Sequence, residues 1–330
     1  MKVHITRICG RMGTSAIAQK MVTQIGREMG FHEIGIYNLD FDGVSDEAMR
    51  TRQSGSISAV EPGDIVIFQT PSWNGNRYDA SLIRRIRSFP NTKVAVMVHD
   101  DRSMLDNFGE EYLQETIAGV YNQADILTVP SKRMLDYFLA HGMQPKKAVI
   151  QKMFDYPLAN ELNTPKFRRQ VFFSGGVLRF GFLQEWHCKT RMILYSATPA
   201  PAGTNIENRG YVHDLELLSA YTEGGFGLVW PDDKSGDYYR YILPFKLSTY
   251  LAAGIPVIIK AGLTPTDFVV RNGIGYAVDS FEEIDEVVQK CTELDYNRMV
   301  DHSRRISFLV RNGYFTRRLF NDVVTQLLTE

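Results

Sequence analysis

The 330-residue sequence has few of the features that mark secreted or membrane-spanning proteins. Its three cysteines, Cys9, Cys188 and Cys291, are odd in number, far apart and without CxxC or Cys/His spacing. Such a pattern predicts neither a disulfide framework nor a zinc site, so reduced intracellular thiols are expected. No apolar run approaches the ~20 residues that a membrane-spanning helix needs, and the first residues lack an apolar signal region. We therefore expect a cytoplasmic protein.

Charge and glycine content argue against two further classes of protein. The formal net charge is −1, which gives no general attraction to nucleic acid or to anionic membranes. A nicotinamide dehydrogenase would carry a full GxGxxG fingerprint and an acidic residue about 20 positions later, and neither is complete here. Gly10 and Gly13 are present, and Thr14 or Ser15 is a plausible N-cap for the helix that follows. That loop has a binding role only if it lies at the carboxyl end of a strand.

The main feature that is present is a repeated alternation of short apolar strands and amphipathic helices. Hairpin signals are few, so the pattern predicts an α/β fold with doubly wound parallel sheets. Two prolines and several polar residues interrupt the periodicity at residues 155–165, which predicts a linker. We expect an N-terminal domain at residues 1–157, a second domain at 158–312 and a C-terminal helix at 313–330. Within the second domain, helices are expected at 281–294 and near 296–310, and a loop from residue 208.

The most informative segment is YILPFKLSTYLAAGIPVII at residues 241–259. It predicts a helix that begins after Pro244, ends at Gly254 and leads into a buried parallel strand. A helix N-terminus presents unpaired N–H groups and a partial positive charge, to which Lys246 adds a full charge and Ser248 and Thr249 add hydroxyls. The segment fits either a phosphate site or an ordinary αβ unit with a solvated lysine.

Lys246 followed by YLAAGIPVI resembles the nucleotide-diphosphate segment of GT-B glycosyltransferases, in which two Rossmann-like domains face a cleft. Many of those enzymes carry a ribose-binding glutamate in this helix, where the present chain has Ser248, Thr249 and Tyr250. Further segments resemble one narrower family, the accessory glycosyltransferases that extend sugars on bacterial serine-rich-repeat adhesins. They span nearly the whole chain: GIY at 35–37, DIVIFQTPSWN at 64–74, VHD at 98–100, GGFGLVWPDDK at 224–234, FKL at 245–247 and GYFTRR at 313–318.

This resemblance implies a UDP-sugar-dependent hexosyltransferase that catalyses the second step of protein O-glycosylation. It would transfer glucose from UDP-glucose to N-acetylglucosamine linked to Ser or Thr of the adhesin. UDP-N-acetylglucosamine as donor and a non-catalytic scaffold remain the alternatives. The resemblance also implies a homo-oligomer, a tetramer in particular, and a C-terminal helix that braces the first domain.

Roles for individual residues follow from the resemblance. The UDP-binding residues would be Thr14, Ser15, Arg179, Tyr211, Lys246, Leu247, Ser248, Thr249 and Tyr250. Asp100 is the first choice and His99 the second for the catalytic base, because they follow a strand of the first domain; a cap or ion pair is the other reading of Asp100. Thr70 and Trp73 are assigned to the acceptor, although Trp73 fits core packing equally well. The pairs Asp100–Asp101 and Asp232–Asp233 could hold a divalent cation, but Lys246 and Arg179 would supply the positive charge, so no metal and no further cofactor are expected.

Overall fold

The computed structural model describes residues 1–39, 43–144, 147–232 and 237–329. The chain forms two compact units, one of Met1–Phe154 with Tyr314–Glu330 and the other of Asp155–Gly313. Each unit contains a six-stranded sheet whose paired strands run parallel, with helices between most successive strands. The predicted α/β class with doubly wound parallel sheets is confirmed.

In the first unit, the strand order is β2-β1-β3-β4-β5-β6. The order therefore reverses between β1 and β3, and ligands of open α/β sheets bind outside the carboxyl ends of the strands at such a reversal. The elements are β1 Val3–Cys9, α1 Thr14–Glu28, β2 His32–Tyr37, α2 Asp46–Ser56, β3 Ile65–Thr70, α3 Asn76–Ile86, β4 Lys93–Val98, α4 Arg102–Leu105, α5 Gly109–Gly119, β5 Ile126–Val129, α6 Lys132–Ala140 and β6 Ala148–Ile150.

The last helix of the chain, α12 (Tyr314–Leu328), also belongs to the first unit. Its Phe320 ring lies 5.2 Å from the ring of Phe31. A Cβ at Gly26 of α1 would lie 3.4 Å from Phe320, so the glycine lets the two helices approach closely. At the other end of α12, the Lys147 ammonium donates to the carbonyl oxygen of Gln326 at 2.9 Å. Apolar packing and this hydrogen bond thus hold α12 against α1 and the chain before β6.

In the second unit, the strand order is β12-β11-β10-β7-β8-β9, and the reversal lies between β7 and β10. This is the arrangement of the Rossmann sheet, with its crevice at the reversal. The elements are β7 Gln170–Ser174, β8 Arg191–Tyr195, β9 Ile206–Asn208, α7 Asp214–Tyr221, β10 Phe226–Val229, α8 Phe245–Ala253, β11 Val257–Lys260, α9 Thr266–Arg271, β12 Gly275–Val278, α10 Phe281–Lys290 and α11 Glu293–Arg311.

Two expectations for the second unit were wrong, one on a helix end and one on a strand. The helix expected to reach residue 294 ends at Lys290, and Thr292 begins the next helix. Thr292 accepts a hydrogen bond from the N–H of Asp295, and the Asp295 carboxylate accepts one from the N–H of Thr292. This capping box satisfies two N–H groups that a continuous helix would pair differently. Strand β9 was also missed, because three half-buried residues at a sheet edge carry almost no apolar pattern.

Candidate functional site

Helix α8 forms where the sequence predicted it. Pro244 precedes the helix with φ −62°, and Gly254 ends it in the left-handed conformation with φ 74°. The N–H of Gly254 donates to the carbonyls of Leu251 and Tyr250. Because a left-handed residue is costly for any side chain with a Cβ, Gly254 allows the chain to turn directly into β11. The predicted helix, its end and the following strand are confirmed.

The position of α8 on its sheet is set by Tyr250. A Cβ at Gly227 of β10 would lie 2.2 Å from the Tyr250 ring, so the ring rests directly on the strand backbone. The Tyr250 hydroxyl lies 3.1 Å from the carbonyl oxygen of Phe172 and 3.2 Å from that of Leu228. The ring is fully buried. The side chain of Tyr250 therefore anchors the helix to the core. This differs from the expectation that it contacts UDP.

The residues just before Tyr250 also face inward. The side chains of Leu247, Ser248 and Thr249 are buried. The N–H of Leu247 donates to the carbonyl of Pro244 at 3.0 Å, and the hydroxyl of Thr249 donates to the carbonyl of Phe245 at 3.1 Å. The Leu247 N–H and the Thr249 hydroxyl therefore already have partners within the turn. The expected contacts of Leu247, Ser248 and Thr249 with the diphosphate stay predictions, and Lys246 is the residue of this turn with a charge to offer.

Lys246 and Arg179 come together over one aromatic ring. The Lys246 ammonium lies 4.3 Å from the centre of the Phe180 ring and 5.0 Å from that of Phe173. The Arg179 guanidinium lies 5.4 Å from the centre of the same Phe180 ring. Phe180 fits there because residue 175 is a glycine, whose added Cβ would lie 2.7 Å from that ring. The two cations predicted from distant parts of the sequence thus share one site.

Asp232 orients Arg179 and was not assigned this role from the sequence. Its carboxylate, which is 2% exposed, accepts a hydrogen bond from the Nε of Arg179 at 3.2 Å. Arg179 follows β7 and Asp232 follows β10, so the ion pair spans the point at which the strand order reverses. The sequence signal was an aspartate soon after a buried strand, without any indication of its partner.

The ammonium of Lys246 lies in an unfavourable environment for its own charge. Burial and then the positive charge of Arg179 lower the pKa of Lys246 to about 7, against the opposing effect of Asp232. Within the described ranges, Lys246 makes no ion pair of 4.0 Å or less and no hydrogen bond. An unpaired cation beside a second cation is stabilised by a bound anion. The arrangement is therefore suited to a group with more than one negative charge, such as a diphosphate.

Tyr211 lies in the loop between β9 and α7 of the same unit. Its ring is 69% exposed and packs edge-on against His213 at a centroid distance of 5.6 Å. In the part of the chain that the structure describes, it makes no hydrogen bond with Arg179 or Lys246. The exposed ring is available for stacking, and its contact with a nucleotide stays a prediction.

In the first unit, α1 begins at Thr14 without a side-chain cap. Gly13 occupies the N-cap position with φ 99°, so the expectation that Thr14 or Ser15 caps the helix was wrong. Thr14 is exposed and Ser15 is half-buried. The loop lies at the carboxyl end of β1, beside the reversal of strand order, as a binding role requires. Contacts of Thr14 and Ser15 with UDP stay predictions.

His99 is buried at the carboxyl end of β4 and is a poor catalytic base. Its Nε2 lies 2.8 Å from Oε1 of Gln69, and its ring stacks on Phe154 at 5.3 Å. The amide nitrogen of Gln69 donates to Thr23 and to the carbonyl of Thr6, so its Oε1 accepts a hydrogen bond from Nε2–H. Burial lowers the pKa of His99 to about 3. The imidazole stays neutral at physiological pH and binds a proton too weakly to act as the catalytic base, for which His99 was the second choice.

The two neighbouring aspartates differ in their environment. Asp101 is buried, accepts from the N–H of Ser103 at 3.0 Å and from the hydroxyl of Tyr121 at 3.0 Å, and caps α4. Asp100 is half-buried at the carboxyl edge of the sheet. The geometry assigns a structural role to Asp101 and leaves Asp100 as the candidate base.

Thr70 and Trp73 flank the loop after β3. Thr70 is buried close to the carboxylate of Asp79. Asp79 accepts hydrogen bonds from the N–H and the hydroxyl of Ser72, and burial raises the pKa of Asp79 to about 6. Burial leaves little of Thr70 exposed, and its expected contact with the acceptor stays a prediction. Asp79 was missed because it is nine residues away in the sequence and looks like an ordinary helix residue.

The ring of Trp73 is not an open stacking platform. The guanidinium of Arg11 lies 4.0 Å and that of Arg102 lies 5.1 Å from its centre. Trp73 is half-buried and has a left-handed backbone, with φ 66°. Any acceptor sugar near Trp73 would therefore also meet arginine side chains. Arg11 lies between Gly10 and Gly13 in the predicted glycine loop, but no sequence pattern indicated that it contacts Trp73.

Among the described residues, no three His, Cys, Asp or Glu side chains are placed to hold a metal ion. Asp233, the second member of the pair considered from the sequence, and Lys234 of the 224–234 motif lie outside the described residues.

Comparison with known proteins identifies the family. Residues 2–153 match the model "Glucosyltransferase 3-like, N-terminal domain", and residues 171–323 match "Glucosyltransferase 3-like, C-terminal domain". The chain is 35% identical to Glucosyltransferase 3 of Streptococcus gordonii and 32% identical to Glucosyltransferase 3 of Streptococcus parasanguinis, with 100% of each chain covered. The chain belongs to the glucosyltransferase 3-like family. The family resemblance found in the sequence is confirmed.

As a member of the glucosyltransferase 3-like family, the chain is an enzyme, a hexosyltransferase. Its fold is similar to that of Anabaena HepE, solved in complex with UDP and glucose. The TM-score is 0.68 at 9% identity, with 99% of this chain and 100% of HepE covered. At that identity the likeness shows the fold alone, which is GT-B as predicted. None of the described helices of this glucosyltransferase 3-like chain is long and apolar enough to cross a membrane.

Proposed function

We propose that this enzyme transfers glucose from UDP-glucose to N-acetylglucosamine O-linked to Ser or Thr of a serine-rich-repeat adhesin. The observation that carries the donor assignment is the Lys246 ammonium, which makes no ion pair with any described residue, beside Arg179 at the carboxyl edge of the second unit's sheet. Two cations at the reversal of strand order suit a nucleoside diphosphate. The names of the family and of its streptococcal relatives support glucose as the sugar.

The two cations would act chiefly on the leaving group. As the bond between glucose and UDP breaks, negative charge grows on the diphosphate, and cations already in place stabilise that charge more than they stabilise the ground state. Arg179 offers forked N–H donors, whose direction the ion pair with Asp232 sets. Lys246 acts as a point charge, and it is fully protonated once a diphosphate raises its pKa. Protein cations thus take the role that a divalent metal has in other transferases.

The acceptor hydroxyl must lose a proton as it attacks the anomeric carbon, and Asp100 is the proposed base. His99 is set aside because burial keeps it neutral and weakly basic. Tyr211, Thr14 and Ser15 are proposed as further contacts of the nucleotide, and Trp73 as a contact of the acceptor. We also propose that the enzyme acts in the cytoplasm as a homotetramer.

The test is a transfer assay with the purified full chain and no added metal. A serine-rich peptide carrying O-linked N-acetylglucosamine and the same peptide without sugar are each incubated with UDP-glucose or UDP-N-acetylglucosamine. We expect a mass gain of one hexose on the glycopeptide only. A gain of one N-acetylhexosamine would assign the alternative donor.

Thermal denaturation with UDP separates a wrong substrate from a wrong function. A ligand at about 100 times its dissociation constant stabilises the folded state by about 2.7 kcal/mol, which a melting curve resolves. Stabilisation by UDP without transfer would overturn the proposed acceptor. Neither stabilisation nor transfer would favour the non-catalytic scaffold.

A further inference from the structure

Three loops of the first unit bring two arginines onto one tryptophan. Arg11 follows β1, Trp73 follows β3 and Arg102 follows β4, and these strands are neighbours in the sheet. The guanidinium carbons of Arg11 and Arg102 lie 4.0 Å and 5.1 Å from the centre of the Trp73 ring. The cluster therefore lies at the carboxyl edge of the sheet, beside the reversal between β1 and β3. We call these three residues the Trp73 cluster.

The cluster holds more positive than negative charge. The Nε of Arg102 donates to Asp106 at 2.6 Å, so one carboxylate accompanies this arginine. Arg11 makes no ion pair within the described ranges, and its buried Nε has no hydrogen-bond partner. Burial and the positive charge of Arg102 lower the pKa of Arg11, and Asp106 offsets this only in part. Arg102 also interacts with the buried carboxylate of Asp79. Arg11, which has no ion-pair partner among the described residues, is thus the guanidinium that a bound anion would stabilise most.

The tryptophan that carries both arginines is held by its neighbours. The side-chain amide of Asn38 donates to the carbonyl of Trp73 at 2.9 Å. The side chain of Asn74 donates to the carbonyl of Tyr37 at 3.0 Å and accepts from the N–H of Leu39 at 2.9 Å. These bonds join the loop after β3 to the end of β2. Because these bonds fix the Trp73 loop before any ligand binds, binding loses little conformational entropy in this loop.

We propose that Arg11 and Arg102, stacked on Trp73, form a second oxyanion site that binds a phosphate group. Arginine suits this ligand, since its planar fork donates two parallel hydrogen bonds to a phosphate. The Trp73 ring lies beside both guanidinium groups, and the centre of the Phe108 ring lies 4.6 Å from the guanidinium of Arg102. All three residues of the cluster belong to the first unit, whereas Lys246 and Arg179 belong to the second. The proposal does not rest on the proposed donor. The phosphate belongs either to a nucleotide or to a separate anion, and the chemistry of recognition is the same.

The experiment measures the binding of inorganic phosphate to the full chain by thermal denaturation. The Lys246→Ala variant is the background, because it removes the cation of the other proposed site. Sodium chloride of matched ionic strength corrects for screening. We expect phosphate to stabilise this background, and Arg11→Gln or Arg102→Gln to weaken the apparent affinity for phosphate about tenfold or more, as for a lost hydrogen bond to a charged group.

A matched control is Arg77→Gln, which removes an exposed arginine of the same unit that pairs with Asp46. This variant should bind phosphate as the background does. Arg11→Lys keeps the charge without the fork and should retain part of the affinity. Circular dichroism of each variant verifies folding. Equal phosphate affinity in the background, Arg11→Gln and Arg102→Gln proteins would overturn the site, as would an equal loss in Arg77→Gln.

UDP and uridine then identify the source of the phosphate, in the chain with Lys246 intact. If Arg11→Gln binds both UDP and phosphate more weakly but binds uridine as before, the site is assigned to a phosphate of the nucleotide. Unchanged affinity for UDP, with weaker binding of phosphate, assigns it to a separate anion. Both outcomes support the site, and its failure would leave the transfer assay unaffected.

Discussion

The ammonium of Lys246 lies 4.3 Å from the centre of the Phe180 ring, which also supports the guanidinium of Arg179. The ring attracts both cations through its negative face, although the cations repel each other. Arg179 has a carboxylate partner in Asp232, whereas Lys246 has none among the described residues. This asymmetry makes Lys246 the group whose charge depends most on a ligand.

Removal of either cation should reduce catalysis strongly without unfolding the protein. Lys246→Ala and Arg179→Ala are each expected to lower kcat/KM for UDP-glucose about 100-fold, the range measured when one preorganised donor to a developing charge is lost. Steady-state rates of hexose transfer measure this effect. The control is Arg271→Ala, which removes an exposed arginine of the same unit paired with Asp267. Near wild-type rates in both site variants would exclude the diphosphate role.

The ligand-free protein should become more stable when the charge of Lys246 is removed. Its pKa falls from 10.5 unfolded to about 7 folded, so the folded state binds fewer protons between those values. The destabilisation is complete below about pH 7 and disappears as pH rises toward 10.5. Lys246→Met should therefore raise the melting temperature at pH 6 and lose this advantage by pH 10. An equal change at both pH values would show that packing, and not charge, is responsible.

Asp100→Asn should lower turnover more than donor affinity. Loss of a general base typically costs about 100-fold to 10,000-fold in rate, while the affinity for UDP depends on other residues. Single-turnover rates and UDP titrations measure the two effects separately. The comparison variant is Asp101→Asn, which should chiefly lower the melting temperature, because Asp101 caps α4 and binds the Tyr121 hydroxyl. A wild-type rate in Asp100→Asn would remove it as the base.

Gly227→Ala should destabilise the second unit. The new Cβ would lie 2.2 Å from the Tyr250 ring, so α8 or the ring must move. Overpacking of this kind costs about 1–3 kcal/mol. Urea denaturation measures the change in free energy of unfolding. Gly176→Ala is the control, because a Cβ there has no neighbour within 4 Å. Equal stability of both variants would show that Tyr250 does not position α8.

Local chemistry in the sequence determined most of the fold. The alternation of short apolar strands and amphipathic helices predicts two parallel sheets, because strand burial and helix periodicity are readable from neighbouring residues. Pro244 and Gly254 mark the ends of α8, since each has a backbone preference of its own. Lys246 was predicted from its place in the first turn of a helix and Arg179 from its place after a strand, and the family resemblance assigned both to the diphosphate. The three-residue β9 was missed because it is too short to show a period.

The tertiary structure decided which side chains face a ligand. Tyr250 and Lys246 lie four residues apart in one helix, yet Tyr250 packs on Gly227 while Lys246 lies beside Arg179. Arg179 and Asp232 pair across 53 residues, and Arg11, Trp73 and Arg102 come from three different loops. Such contacts depend on which strands become neighbours, and a sequence pattern reports only the preferences of adjacent residues. The sequence alone therefore determined the elements and the family, and the order of strands in each sheet decided the partners of each charge.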